Sequence, residues 1–192
     1  MDNLSETELK KIVDEVVSGL MREMPSRMTT SPELNPIPVP DSESAVVKTV
    51  AIGADHGGFP LKETLKAFLN ENGYSVIDCG TNSTESVDYP DFARAVAEKI
   101  AAGSAWRGIM IDGAGIGSCM AANKVAGVRA AMCYDYATAY NSREHNNANL
   151  LTLGAGLIGN SLAKQIVTTF LETEFGGGRH DRRVAKIMEI EK

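Results

Sequence analysis

Only three cysteines occur among the 192 residues, Cys79, Cys119 and Cys133, and no two are spaced as C-x-x-C. An odd, scattered set excludes a disulfide framework and argues against a zinc site, so the thiols are expected to be reduced and buried. No apolar run reaches the roughly 18 residues of a membrane-spanning helix, and the N-terminus lacks the basic-then-apolar order of a secretory leader. The expected location is therefore the cytoplasm. Blocks of like charge are missing too. With 19 Lys and Arg against 25 Asp and Glu, a net charge of −6, there is no concentrated basic face, which argues against nucleic acid as the main partner. Anionic small molecules stay open through local Arg and His. Seven prolines against 18 glycines point to tight loops rather than disorder.

What is present falls into three parts. In residues 1–24, Leu9, Ile12, Val13, Val16, Val17 and Leu20 recur at three- and four-residue steps, the pattern of one apolar helix face, with Ser5 and Glu8 as a capping box. Residues 25–45 hold five of the seven prolines and no period of either kind, the composition of an extended linker. Residues 46–192 alternate strand-like and helix-like segments. KTVAIGAD, YSVIDCG, RGIMIDGAG, VRAAMCYD and LLTLGAG read as strands. Between and after them, PLKETLKAFLNENG, YPDFARAVAEKIAAG, GSCMAANKV, ATAYNSREHNNAN and SLAKQIVTTFLETEF read as helices, the first two closed by Gly73 and Gly103. The fold class expected is α/β, a five-stranded parallel sheet with helices on both faces.

In such a sheet a ligand lies outside the carboxyl ends of the strands. That rule gathers Asp55 and His56, Asp112 with Gly113, Gly115 and Gly117, and Tyr134 and Asp135 at one edge. A glycine loop before a helix exposes successive N–H groups suited to an anion or a developing oxyanion. The spacing GAGIG followed by Ser118 departs from G-x-G-x-x-G, so a dinucleotide cofactor is not expected.

Read together with the glycine loop, DHGG (55–58), VDYPD (87–91), AANK (121–124), REHNNAN (143–149) and GGRHDRR (177–183) resemble the ribose-5-phosphate isomerase type B and galactose-6-phosphate isomerase subunit family, across residues 48–187. The resemblance implies a Rossmann-like three-layer α/β/α sandwich. It also implies a homodimer, or a tetramer built from it, whose sites draw on two chains, and metal-free, cofactor-free interconversion of aldose and ketose phosphates. It makes Asp55 and His145 the ring-opening pair, His56, Arg179 and Arg183 the phosphate grip, and Asn146 and Tyr89 the contacts to sugar hydroxyls. The N–H groups of residues 113–117 hold the enediolate. The four-residue spacing of Arg179 and Arg183 independently suits two side chains on one helix face. Four of these residues also have a plainer reading. The Arg pair suits a solvated helix face, His145 a core or capping histidine, and Asp55 an N-cap.

The chain departs from the family at three places. Where the family loop reads C-G-T-G-I-G, with the cysteine as base, this chain has Asp112 and Ala114, and Gly156 stands where an arginine is usual. Relatives without the cysteine place a glutamate where this chain has Ser118. Asp112 is then expected either to replace the cysteine as general base, or to mark a partner subunit that relies on a cysteine-bearing relative. A sugar-phosphate-binding module is the remaining alternative. The first 24 residues resemble the encapsulation peptides that target enzymes to bacterial microcompartments; a dimer-forming helix, or one docking on its own domain, fits the same spacing.

Overall fold

A computed structural model describes Glu15 and residues 48–191 of the chain. The segments read as the tethered helix (1–24) and the linker (25–45) lie outside the described residues, apart from the exposed helical Glu15. By contacts the chain divides into residues 1–44 and 45–192, and the second unit carries the sheet.

That unit begins with β1 (Thr49–Ala54), α1 (Phe59–Glu71), β2 (Ser75–Asp78), α2 (Tyr89–Ala101), β3 (Arg107–Asp112) and α3 (Ile116–Ala122). It continues with β4 (Ala130–Met132), α4 (Tyr136–Glu144), β5 (Leu150–Gly154), α5 (Asn160–Glu172), a 3-10 turn (Gly178–His180) and α6 (Asp181–Glu189). All pairings are parallel, in the order β2-β1-β3-β5-β4. Every residue of β3 and β5 is buried, as both faces of these inner strands are covered. On one face, Leu61, Leu65 and Leu69 of α1 and Ile166, Val167 and Phe170 of α5 pack against Ile52, Ile109 and Leu151. On the other, Ala93, Val96 and Ala97 of α2 and Ala122 of α3 meet Ala51, Met110 and Leu150. The expected three-layer α/β/α sandwich is the one observed.

Three details differ from the sequence reading. The fourth strand is only three residues long, since Cys133 to Asp135 already turn towards α4, where Asp135 forms a capping box with Thr138. Of the three thiols only Cys133 is buried; Cys79 and Cys119 are half-buried. Arg179 lies in the 3-10 turn and only Arg183 in α6, so the pair straddles a junction instead of sharing one α-helix face.

Candidate active site

The carboxyl edge of the sheet is built by β1 and β3, which run side by side with Ala54 opposite Ile111. The Asp55 N–H donates to the Ile111 carbonyl at 3.0 Å, fixing the end of β1 beside the glycine loop. Asp55 is buried, and its Oδ1 accepts from the Gly58 N–H at 2.8 Å, so the side chain ties down the turn into α1. Its Oδ2 receives no hydrogen bond from a described side chain or backbone group. His56 Nδ1 lies 3.2 Å from the Val87 nitrogen and 3.3 Å from the Val87 carbonyl oxygen, so in either tautomer Nδ1 is engaged by that backbone and Nε2 is the ring nitrogen left for a ligand. Tyr89, the first residue of α2, lies against Gly117: a Cβ there would stand 2.5 Å from the Tyr89 ring.

Asp112 is placed differently from its expected position at the mouth of the crevice. It is 4% exposed, and both carboxylate oxygens turn into the loop. Oδ1 accepts from the N–H groups of Ala114, at 2.8 Å, and Gly115. Oδ2 accepts from the Ser118 N–H at 3.1 Å and from its hydroxyl at 2.5 Å. Gly115 sustains this tight wrap at φ +78°, a conformation that favours glycine. Hence the expectation that all N–H groups of residues 113–117 face a ligand is corrected: those of Ala114 and Gly115 are occupied by the chain's own carboxylate. The N–H groups of Gly113, Ile116 and Gly117 have no partner among the described residues. Gly156 adjoins the same loop, its N–H donating to the Gly113 carbonyl at 3.0 Å.

No thiol replaces the missing cysteine. Cys119 Sγ lies 3.4 Å from the Ala130 carbonyl, and burial pushes its pKa up. Burial pushes Cys133 up to about 11. Among the described residues no group of three His, Cys, Asp or Glu side chains is arranged to hold a metal ion.

His145, Asn146, Arg179 and Arg183 form a second group at the opposite end of the sheet. Helix α4 starts beyond the carboxyl end of β4 and returns, so His145, its C-cap, arrives near the strands' amino ends. There Asn149 accepts from Gly108, close to the start of β3. From Gly108 to Asp112 the strand spans roughly 13 Å. His145 Nδ1 is 2.7 Å from Asn141 Nδ2 and its Nε2 2.9 Å from Glu144 Oε2. Its ring stacks on His180, centroids 4.3 Å apart, which brings the 3-10 turn with Arg179 to the same place. Asn146, Arg179 and Arg183 are exposed. Arg143, buried, braces this group: its Nε donates to the Thr173 carbonyl at 3.1 Å and its Nη1 to Asn147 Oδ1 at 2.9 Å. Asn141 and Asn146 also line a cavity of about 580 Å³ beside the edge strand β4, closed on one side by Ile187 of α6.

The expected site residues thus form two constellations. Asp55, His56, Tyr89 and the 112–118 loop stand together; His145, Asn146, Arg179 and Arg183 stand together; no hydrogen bond or ion pair among the described residues joins them. Asp55 and His145, the expected ring-opening pair, are not brought together within one chain. Sequence reasoning missed Ser118 as the partner of Asp112, although its place just past the glycine loop, inside the first turn of α3, was a usable signal.

A doubly wound α/β sheet with two carboxylates and a loop of free N–H groups at its carboxyl edge defines a binding protein or enzyme for small anionic or polyhydroxylated molecules. Residues 50–187 match the Ribose/Galactose Isomerase family, and the chain belongs to that family of sugar-phosphate isomerases. It is 46% identical to ribose-5-phosphate isomerase B of Escherichia coli over 76% of this chain and 98% of that one. It is 44% identical to D-erythrulose-4-phosphate isomerase of Pectobacterium atrosepticum, over 72% and 92% respectively. The solved structure of Clostridium thermocellum ribose-5-phosphate isomerase B superposes with a TM-score of 0.74 at 54% identity, covering 74% of this chain and 97% of that one.

Proposed function

We propose that the protein interconverts an aldose phosphate and a ketose phosphate of four to six carbons through a cis-enediolate, without metal or redox cofactor. The observation that carries this reading is the carboxyl edge itself. Asp55 and Asp112 end neighbouring strands, beside a loop whose Gly113, Ile116 and Gly117 N–H groups are free to hold an enediolate oxygen. His56 Nε2 and the Tyr89 hydroxyl supply further hydrogen-bonding groups. The relatives named for ribose 5-phosphate and erythrulose 4-phosphate support a sugar phosphate and leave its length open.

The working unit is a homodimer. Because His145, Asn146, Arg179 and Arg183 stand at the far end of the sheet, they serve the site of a second copy, where Arg179 and Arg183 grip the phosphate. Incubating the protein with tetrose, pentose and hexose phosphates in the presence of a chelator, and following the aldose–ketose ratio by NMR, tests the activity. Conversion of at least one is expected. Failure with all of them removes the proposal.

One observation favours a second reading. The engagement of both Asp112 oxygens suits a partner subunit that lends its His145 group to a cysteine-bearing relative; conversion seen only after such a relative is added would establish it. The proposed role of residues 1–24 is binding to a microcompartment shell, resting on the spacing of Leu9, Ile12, Val13, Val16 and Val17. A fluorescent fusion of residues 1–45 that stays diffuse in a shell-forming host counts against it.

A further inference from the structure

We infer that Asp112 is a positioning residue, the internal anion that holds the glycine loop in shape, and that the proton is taken by Asp55. This inference rests on the isomerase reading and divides the labour of its two carboxylates.

The first argument is occupancy. A general base needs a lone pair aimed at the substrate carbon. Asp112 has four donors on its two oxygens, three of them backbone N–H groups and one the Ser118 hydroxyl. To reach a substrate it would have to abandon all four and leave the buried N–H groups of Gly115 and Ser118 unpaired. Asp55 spends only Oδ1, on Gly58, and keeps Oδ2 clear of every described donor.

The second argument is adjacency. A Cβ on the exposed Gly57 would lie 3.4 Å from Asp55 Oδ1 and 3.9 Å from the Gly113 nitrogen. The Asp55 carboxyl group and the first free N–H of the loop therefore both lie beside Gly57, which brings an acid and a hydrogen-bond donor together as proton abstraction next to a carbonyl requires. There the Asp55 carboxylate takes the proton from the carbon next to the carbonyl. The C–H electron pair forms the carbon–carbon double bond of the enediolate as the carbonyl pair moves onto oxygen. That oxygen is held by the N–H groups of Gly113, Ile116 and Gly117. The proton of the adjacent hydroxyl passes to the former carbonyl oxygen, Asp55 returns its proton to the former carbonyl carbon, and the charge now on the second oxygen collapses to the new carbonyl.

The third argument is what the loop needs. Residues 113–118 bring several N–H groups close together, and the Asp112 carboxylate satisfies those of Ala114, Gly115 and Ser118, while those of Gly113, Ile116 and Gly117 stay without a partner among the described residues. Asp112 acts on the reaction through the loop, and Ser118 fixes Asp112.

Steady-state kinetics of Asp55→Asn, Asp112→Asn and Ser118→Ala on the substrate found active with the wild type separate the roles. Asp55→Asn is expected to lower kcat by roughly 10²–10⁴-fold, the loss of a general base. Asp112→Asn is expected to lose less, roughly ten- to hundredfold, in kcat with little change in KM, because a misplaced loop weakens binding of the transition state. Ser118→Ala should follow it in the same sense by a smaller factor. A folded Asp112→Asn enzyme that loses activity by the larger factor overturns the inference, whatever Asp55→Asn does.

Amide hydrogen exchange gives a readout that does not depend on turnover. In Asp112→Asn the N–H groups of residues 114, 115 and 118 should exchange faster while those of β3 stay protected; unchanged protection of the three overturns the positioning role. A wild type inactive on every sugar phosphate would count against the isomerase reading, and the exchange data would still decide what Asp112 does to the loop.

Discussion

His145 and His180 stack face to face, their planes 8° apart, so the 3-10 turn is held on the end of α4 by two stacked rings. His180 is held below the ordinary imidazole value by lost hydration first, then by His145, Arg179 and Arg183, against the opposing pull of Glu144. A histidine whose folded pKa is depressed stabilises the fold in its neutral form. That contribution is present above the unfolded value of about 6.5 and is lost as pH falls through the folded value. Imidazole NMR should show His180 titrating below the ordinary value, with signals of residues 176–183 broadening on its protonation. Replacing His180 with Asn should remove that pH dependence.

Lys62 is fully buried, its Nζ held by both Asp78 oxygens, at 2.7 and 2.9 Å, and by the Thr81 carbonyl at 2.7 Å. It pins α1 to the end of β2. Lys62→Met is expected to cost about 3 kcal/mol, the low end for a broken buried pair because Asp78 keeps Lys66. Burial raises the Asp78 pKa, but Lys62, Lys66 and the Gly80 N–H outweigh it and hold the carboxyl below its usual range. The stability this supplies is present above the unfolded carboxyl value and lost as pH falls through the folded one. Denaturant midpoints measured at neutral and acidic pH should therefore converge between wild type and variant on the acid side.

Much of the alternation of strands and helices was legible because β3 and β5 are short, mostly apolar segments and Gly73 and Gly103 stop their helices in positive φ. Lys62 was not. Its surroundings in the chain, PLKETLK, read as an ordinary solvated helix, and only the turn at Asp78–Thr81 folding over it supplies three acceptors. Asp112 shows the same limit from the other side. Its place at the end of a strand was visible, whereas the direction of its carboxylate depends on backbone N–H groups that converge only when Gly115 adopts positive φ.

Two glycine substitutions should separate binding from folding. In Gly117→Ala the new Cβ would displace the Tyr89 ring, which is 39% exposed and free to swing outward. Stability should barely change, while KM rises up to about tenfold for one lost hydrogen bond to substrate. In Gly58→Ala the Cβ would lie 2.4 Å from the Ile111 carbonyl oxygen, a backbone atom of the central strand. That variant should unfold markedly earlier on heating.

The division of the site between two ends of the sheet predicts complementation. Asp55→Asn and His145→Ala homodimers should each be inactive. Mixed after reversible dissociation, they should regain about a quarter of wild-type activity, because half the dimers are mixed and each carries one intact site of two. No recovery, with subunit exchange confirmed by mass spectrometry, would remove the composite site.

Enediolate chemistry leaves a mark independent of net conversion, since a proton held by the base exchanges with solvent before it returns. Wild-type protein incubated in heavy water with the sugar phosphate it accepts should place deuterium on the carbon next to the carbonyl, in recovered substrate as well as in product, with chelator present throughout. Saturable binding of sugar phosphates with no deuterium incorporated at that carbon would contradict the account.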